Sequence, residues 1–189
     1  KGNLFLSTII KPKSDKSFWH QLSVIVGFSI IQVLVDIGVN SNLINLKWPN
    51  DILVDEKKIC GILLESSDNF IIVGIGLNIL KTPVLETKWA TTKLNDHLKG
   101  SINIKNIGLK ILNKVFNNYH SWEKFGFVFF KEDINKKMFM INKKIVLNVN
   151  SKSNPLNGVF LGIGDSGGIK VKTNSEITEY LSVESFTFV

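Results

Sequence analysis

The sequence has no arginine: all 23 basic residues among its 189 positions are lysine. An interface without guanidinium groups forgoes the bidentate contact by which guanine edges are most often read. The lysines are scattered, in runs no longer than two, so the net charge of +7 does not gather into a basic stripe. No nucleic-acid partner is expected for this segment. The abundance of lysine, asparagine and isoleucine reads as AT-rich coding. A single cysteine, Cys60, excludes an intrachain disulfide framework and suits a reducing compartment, the cytoplasm. It lies within an apolar strand pattern and reads as a small buried hydrophobe. No cleavable leader, internal repeat or low-complexity tract is visible. Uncharged runs are few, and the 18 residues from Phe18 to Val35 are the one stretch near membrane-spanning length. His20, Gln21, Ser23, Gly27, Ser29 and Gln32 interrupt it, and Asp36-Ile37-Gly38 stops it as an ordinary helix ends. It reads as a helix buried against a sheet, and no membrane partner is expected.

What is present is a globular pattern, 44% apolar. Asn3 to Ile10 reads as a core strand. Ser17 is placed to cap the uncharged helix. Leu43–Lys47, Ile52–Val54, Ile59–Leu64 and Phe70–Asn78 read as successive strands, with turns at Asp55-Glu56-Lys57 and Ser66-Ser67-Asp68-Asn69. Such short connections imply antiparallel pairing. Thr87 to Leu98 reads as a helix. The three-and-four spacing of Ile104, Ile107, Ile111, Val115, Tyr119 and Trp122 reads as a second, amphipathic one. His97 and His120 fall on these helices without metal-ligand partners at suitable spacing. The character changes around Met138–Asn142. From Ile145 onward short strands at Ile145–Val149, Val159–Gly164, Ile169–Lys172, Ile177–Leu181 and Ser185–Phe188 suggest a small barrel. Two domains follow, 1–140 and 141–189.

The chain is organised around Leu46-Lys47-Trp48-Pro49-Asn50-Asp51-Ile52, which reads as strand, rigid corner, strand. A cation, Lys47, and a carboxylate, Asp51, stand on either side of the corner. Lys-Trp-Pro-Asn-Asp, the following Lys57-Lys58-Ile59-Cys60-Gly61-Ile62-Leu63-Leu64-Glu65 run and Val73-Gly74-Ile75-Gly76-Leu77-Asn78 resemble the paired motifs of biotin protein ligases. The resemblance runs from Gly2-Asn3-Leu4-Phe5-Leu6-Ser7 to the C-terminus. It implies an α+β fold: a mixed, largely antiparallel sheet with helices on one face, as in class II aminoacyl-tRNA synthetases and biotin ligases, then an SH3-like barrel.

The same resemblance implies an enzyme that joins biotin and ATP into biotinyl-5′-AMP, then passes biotin to a lysine of a biotin carboxyl carrier protein, the acceptor domain of a carboxylase such as acetyl-CoA carboxylase. ATP and Mg²⁺ are the implied cofactors, and a homodimer is allowed. Lys47 matches the lysine at biotin and the acyl–phosphate junction. Asp51 could meet Mg²⁺, the adenylate or the incoming lysine, or simply close an Asx-type turn. Asn50 reads more as a turn former than a substrate contact, and Trp48 more as packing than as part of the biotin site. Lys58 matches the lysine reaching the nucleotide phosphates, and its neighbour Lys57 should face the other side of the strand. Gly61 and Gly76 admit either close ligand approach or a bulge. Asn78 matches a position near ATP or merely ends its strand. Gly74-Ile75-Gly76 is no dinucleotide fingerprint, since neither a third glycine nor a helix follows.

The family's arginine- and glycine-rich loop precedes the Gly2-Asn3-Leu4 strand and has no counterpart among these residues, so the sequence reads as N-terminally incomplete. Two rivals remain. A lipoate ligase or lipoyl/octanoyl transferase shares the Asn-Asp and Lys-x-x-Gly features, although Trp48-Pro49 and the barrel favour biotin. An inactive carrier-binding remnant is the alternative of another class.

Overall fold

Strand alternation and short turns build the first half of the molecule. The computed structural model describes residues 2–83, 90–149, 154–174 and 176–189. β1 (Leu4–Ile10), β2 (Ile44–Lys47), β3 (Asp51–Val54), β4 (Lys57–Ser66) and β5 (Ile71–Leu77) form one sheet in the order β1-β5-β4-β3-β2. Its four strand pairings are antiparallel. Between β3 and β4, Asp55 and Glu56 both take positive φ, 52° and 59°. That is the two-residue hairpin geometry whose twist matches the flanking strands. Lys57 points away from the later site and pairs with Asp55 at 3.2 Å.

One face of this sheet carries the helices. α1 (Gln21–Asp36) is buried at 12 of its 16 positions, which explains why it holds no internal charge. Gly27 brings it close to the sheet: a Cβ there would lie 2.7 Å from Leu46 Cδ1 and 3.4 Å from Ile62 Cδ1. α2 (Ile104–Phe125) buries Ile107, Ile111, Val115, Tyr119 and Trp122, the anticipated stripe. Its Gly108 lies over Leu4 and Leu6 of β1. Polar contacts fix the two helices against each other. Asn118 Nδ2 donates to Ser29 Oγ (2.9 Å) and Gln32 Oε1 (2.8 Å), and Trp122 Nε1 donates to Gln21 Oε1 (2.7 Å). Among the described residues no helix is long and apolar enough to cross a membrane.

Two helix expectations are corrected. Ser17 does not cap α1. Its backbone N–H donates to Asp15, which caps a short 3-10 turn at Lys16–Phe18, and α1 begins only at Gln21. The helix expected over Thr87–Leu98 is not formed in its described part; its first residues, Thr87 to Trp89, lie outside the described residues. Ala90 O and Thr92 N bond the backbone of Lys58, so the segment runs beside β4, and only Leu94–Asp96 turns, as a 3-10 helix ending at His97. Its backbone groups are satisfied by a strand and have no need of a helix.

The described chain divides into compact units at Lys1–Lys124 and Phe125–Val189, earlier than the change of character near residue 140. In the second unit α3 (Val128–Asn135) precedes β6 (Lys144–Asn148), β7 (Leu156–Ile163), β8 (Ile169–Lys172), β9 (Ile177–Tyr180) and β10 (Ser185–Phe188). These strands form an antiparallel sheet ordered β10-β6-β7-β8-β9, around a core containing Phe139, Phe160, Phe186 and Phe188. Asn135 explains why α3 belongs here: its side chain bonds both the N–H (2.7 Å) and C=O (3.1 Å) of Ile163. Gly162, at φ 101°, leaves room for that amide.

The Gln21–Trp122 bond generates a stability prediction. Gln21→Leu leaves a buried indole N–H without this acceptor and should cost about 1–3 kcal/mol in urea unfolding. Combining it with Trp122→Phe should cost less than the two single losses added. Simple additivity would mean that the bond does not couple the helices.

Candidate functional site

Cross-strand register assembles the site. Phe5 opposes Gly76, Gly76 opposes Gly61, Gly61 opposes Asp51, and Asp51 opposes Lys47. Opposed residues share a face. One line across the face turned away from the helices therefore reads aromatic ring, bare backbone, carboxylate, ammonium. The adjacent line, Leu4, Leu77, Cys60, Ile52 and Leu46, packs toward the helices.

Lys58 joins the charged end through an irregularity. Ile52 pairs with Cys60, but Leu53 pairs with Lys58, so Ile59 is an extra residue in β4. Counted back from Ile62 and Cys60, simple alternation would send Lys58 toward the helices. The bulge turns it to the open face, while Ile59 and Cys60 are both buried. Lys58 Nζ lies 2.5 Å from Asp51 Oδ1, and Lys47 Nζ lies 3.9 Å from Asp51 Oδ2. One carboxylate thus stands between two ammonium groups, leaving one positive charge in excess. The Lys47 amine sits below its usual value, chiefly because burial disfavours the cation; Asp51 opposes this and Lys58 adds to it.

The corner before Asp51 is fastened on both sides. Its Trp48–Pro49 peptide is cis. Ser23 Oγ donates to Pro49 O (2.9 Å), Asn50 Nδ2 donates to Ile62 O (2.9 Å), and Ile62 N donates to Asn50 O (2.9 Å). Asn50 therefore serves the turn while still lining a hollow, and Trp48 is buried, 6% exposed.

Two hollows meet over the glycines. One, of about 300 Å³, lies between Phe5, Ser7, Leu63, Gly74 and the Asn50–Asp51 corner. The other, of about 250 Å³, lies between Asn3, Asn78, Pro83 and Thr91, over Ile59 and Cys60. Phe5, Lys58, Gly61 and Gly76 border both. A Cβ on Gly61 would come within 3.3 Å of Lys58 Nζ and 3.7 Å of Asp51 Oδ1. A larger hollow of about 570 Å³ beside Lys16, Trp19 and Asp68 contains none of the residues anticipated from sequence.

The structure thus brings Lys47, Asp51, Lys58, Gly61 and Gly76 together. Asn78 stands at the far end of the second hollow, with its Nδ2 on Thr92 O at 3.1 Å. Sequence reasoning missed Phe5, 84% exposed, and Leu63, 60% exposed. The available signal was that β1 is apolar at outward positions, Phe5 and Ile9, as well as inward ones. It also missed Asn3, whose Oδ1 accepts from the N–H groups of Ile79 (3.0 Å) and Lys81 (3.1 Å) and so fixes the rim of the second hollow.

Residues 1–79 match the model of the biotin/lipoate A/B protein ligase family. The chain is 27% identical to the bifunctional ligase/repressor BirA of Bacillus subtilis, an alignment covering 97% of this chain and 58% of that protein. It is 36% identical over 66 residues to the biotin acetyl-CoA-carboxylase ligase of Mycobacterium tuberculosis, which is 34% of this chain and 25% of that one. A solved structure of the biotin protein ligase of Aquifex aeolicus in complex with biotin and ATP aligns with a TM-score of 0.86 at 29% identity, covering 100% of this chain and 80% of that one. The chain therefore spans little more than half the length of its Bacillus relative.

Cys60 gives the prediction here. Burial pushes its thiol from the usual 9.0 up to about 12. In the native protein at pH 8 it should resist a disulfide reagent such as dithiodipyridine, and it should react promptly in denaturant. The native thiol keeps a proton that the unfolded chain releases. Stability should therefore fall as pH rises from about 9 toward about 12. Cys60→Ala should lose that component of the slope, as followed by unfolding at stepped pH.

Proposed function

We propose that this chain is a member of the biotin/lipoate A/B protein ligase family, whose model its residues 1–79 match, and that it attaches biotin in an ATP-dependent reaction, through biotinyl-5′-AMP, to a lysine of a biotin carboxyl carrier protein. The observation that carries this reading is the Lys47–Asp51–Lys58 cluster at the edge of a glycine floor shared by two hollows. Such a site suits the joining of two anions.

In the first half-reaction a carboxylate oxygen of biotin attacks the α-phosphorus of ATP and pyrophosphate leaves. Two like unit charges about 4 Å apart repel by roughly 1 kcal/mol in water and about 4 kcal/mol near a protein surface. Lys47 offsets that repulsion at the carboxylate and Lys58 at the phosphates. Asp51 holds the two ammonium groups apart and aims them. Gly61 and Gly76 leave the backbone bare, so the junction can lie against the sheet. Phe5, Ser7 and Leu63 offer a partly apolar hollow for the biotin rings, and the hollow at Asn78 and Thr91 takes the nucleoside. In the second half-reaction the carrier's lysine amine attacks the acyl carbon and AMP departs. The work is positioning and charge neutralisation, and no protein nucleophile is required.

A resident Mg²⁺ does not fit the described residues. Asp51 is the one carboxylate lining the two hollows, and both of its oxygens face ammonium groups. Nor does any cluster of three candidate ligands occur among the described residues. Mg²⁺ is proposed here only as the companion of ATP.

The test is biotin-dependent exchange of pyrophosphate into ATP, followed by transfer to a carrier domain. Lys47→Ala should lower exchange on the order of 10²–10³-fold with the fold intact. Lys58→Ala should raise the KM for ATP more than that for biotin. Wild-type exchange in the Lys47 variant would remove Lys47 from the reaction. Exchange driven by lipoate but not by biotin would turn the reading to a lipoate ligase.

A further inference from the structure

The bulge that aims Lys58 stands where β4 loses its neighbour, because β5 ends at Leu77. Beyond that point the Lys58 backbone would have bare hydrogen-bonding groups on one side. The segment Ala90–Thr92 fills the gap, as a parallel bridge pairing Lys58 with Thr91. Lys58 N donates to Ala90 O (2.8 Å), and Thr92 N donates to Lys58 O (2.9 Å). Asn78 N completes the set by donating to Ile59 O (2.9 Å).

Side chains hold this segment in place. Asn78 Nδ2 donates to Thr92 O (3.1 Å), and Thr92 Oγ1 shares a 2.8 Å hydrogen bond with His97 Nε2. Thr92 is 6% exposed, so its hydroxyl depends on a protein partner. It does not line the hollow that its neighbour Thr91 borders. We infer that Thr92, held by His97 and Asn78, is a positioning residue for Lys58: it clamps the β4 bulge and so sets where the Lys58 ammonium meets the nucleotide. This inference rests on the ligase reading above and goes further, because it assigns control of the nucleotide contact to Thr92 and His97, which lie outside the two hollows.

The experiment compares the unmodified chain with Thr92→Val, Thr92→Ser and His97→Ala. Valine keeps the shape of threonine and removes the hydroxyl; serine keeps the hydroxyl. In biotin-dependent pyrophosphate exchange, Thr92→Val and His97→Ala should raise the KM for ATP about tenfold, the worth of one such hydrogen bond. The KM for biotin and kcat should stay within a factor of about two on the same reasoning, and Thr92→Ser should behave like the unmodified chain. Native-state hydrogen exchange supplies a readout independent of turnover: the Lys58 amide should lose protection in the valine variant and keep it in the serine one. An unchanged ATP KM in Thr92→Val overturns the inference. So does a parallel loss in both substrates, in kcat and in unfolding stability, because that is a general folding role. An unmodified chain that exchanges pyrophosphate with no acid substrate overturns the ligase reading, and this inference falls with it.

Discussion

A single extra residue, Ile59, governs what the open face of the first sheet can do. With β4 in plain alternation, Lys58 would lie under the sheet with Cys60 and Ile62, where an unpaired ammonium costs several kcal/mol. The bulge exchanges that liability for a 2.5 Å pairing with Asp51. Asp51 in turn is placed by an uninterrupted register with Lys47 on one side and Gly61 on the other. The regular register supplies the glycine floor and the Lys47–Asp51 pair, and the local mismatch between β3 and β4 adds Lys58 to the cluster and to the border of both hollows.

Much of this was legible in the sequence, because strands and turns are local. The corner at Trp48–Asp51 and the hairpin at Asp55–Glu56 announce themselves by turn-forming residues, and the i, i+4 offset of Lys47 and Asp51 across a tight corner brings them opposite each other. The bulge was not legible: Lys58-Ile59-Cys60 contains neither glycine nor proline, and only resemblance assigned Lys58 to the site. The Ala90–His97 segment misled for a related reason. Leu94, His97 and Leu98 mimic helical spacing, whereas Ala90 and Thr92 pair more than thirty positions upstream with Lys58 of β4, and Leu94 and Asn95 with Asn78 and Ile79 just beyond β5. Trp48, next to the motif in sequence, faces the core. The exposure of Phe5 reflects which sheet face the helices leave open, and that is settled by packing.

The helix layer solves a different problem. α1 is apolar nearly all round, so burial alone would allow it to slide or rotate against α2. Ser29, Gln32 and Gln21 give α1 three fixed points, each met by Asn118 or Trp122. A buried polar group tolerates little displacement before it loses its partner. Ser23, in the first turn of the same helix, reaches the carbonyl of Pro49. The helix that is fixed by these contacts therefore also supports the corner that presents Lys47 and Asp51.

The glycine floor and its lysines carry a chemical hazard for the proposed reaction. A mixed acyl–phosphate anhydride is attacked by amines and thiols alike; Lys58 and Cys60 line the hollows, and Lys47 stands beside them across Asp51. The Lys58 amine is engaged with Asp51, an ion pair that attack on the acyl carbon would have to break. Burial keeps Cys60 protonated, on the helix side of the sheet. Lys58 and Cys60 are thus restrained, whereas burial pushes the Lys47 amine below its usual value and leaves it the side chain of this cluster most open to acylation in the proposed reaction.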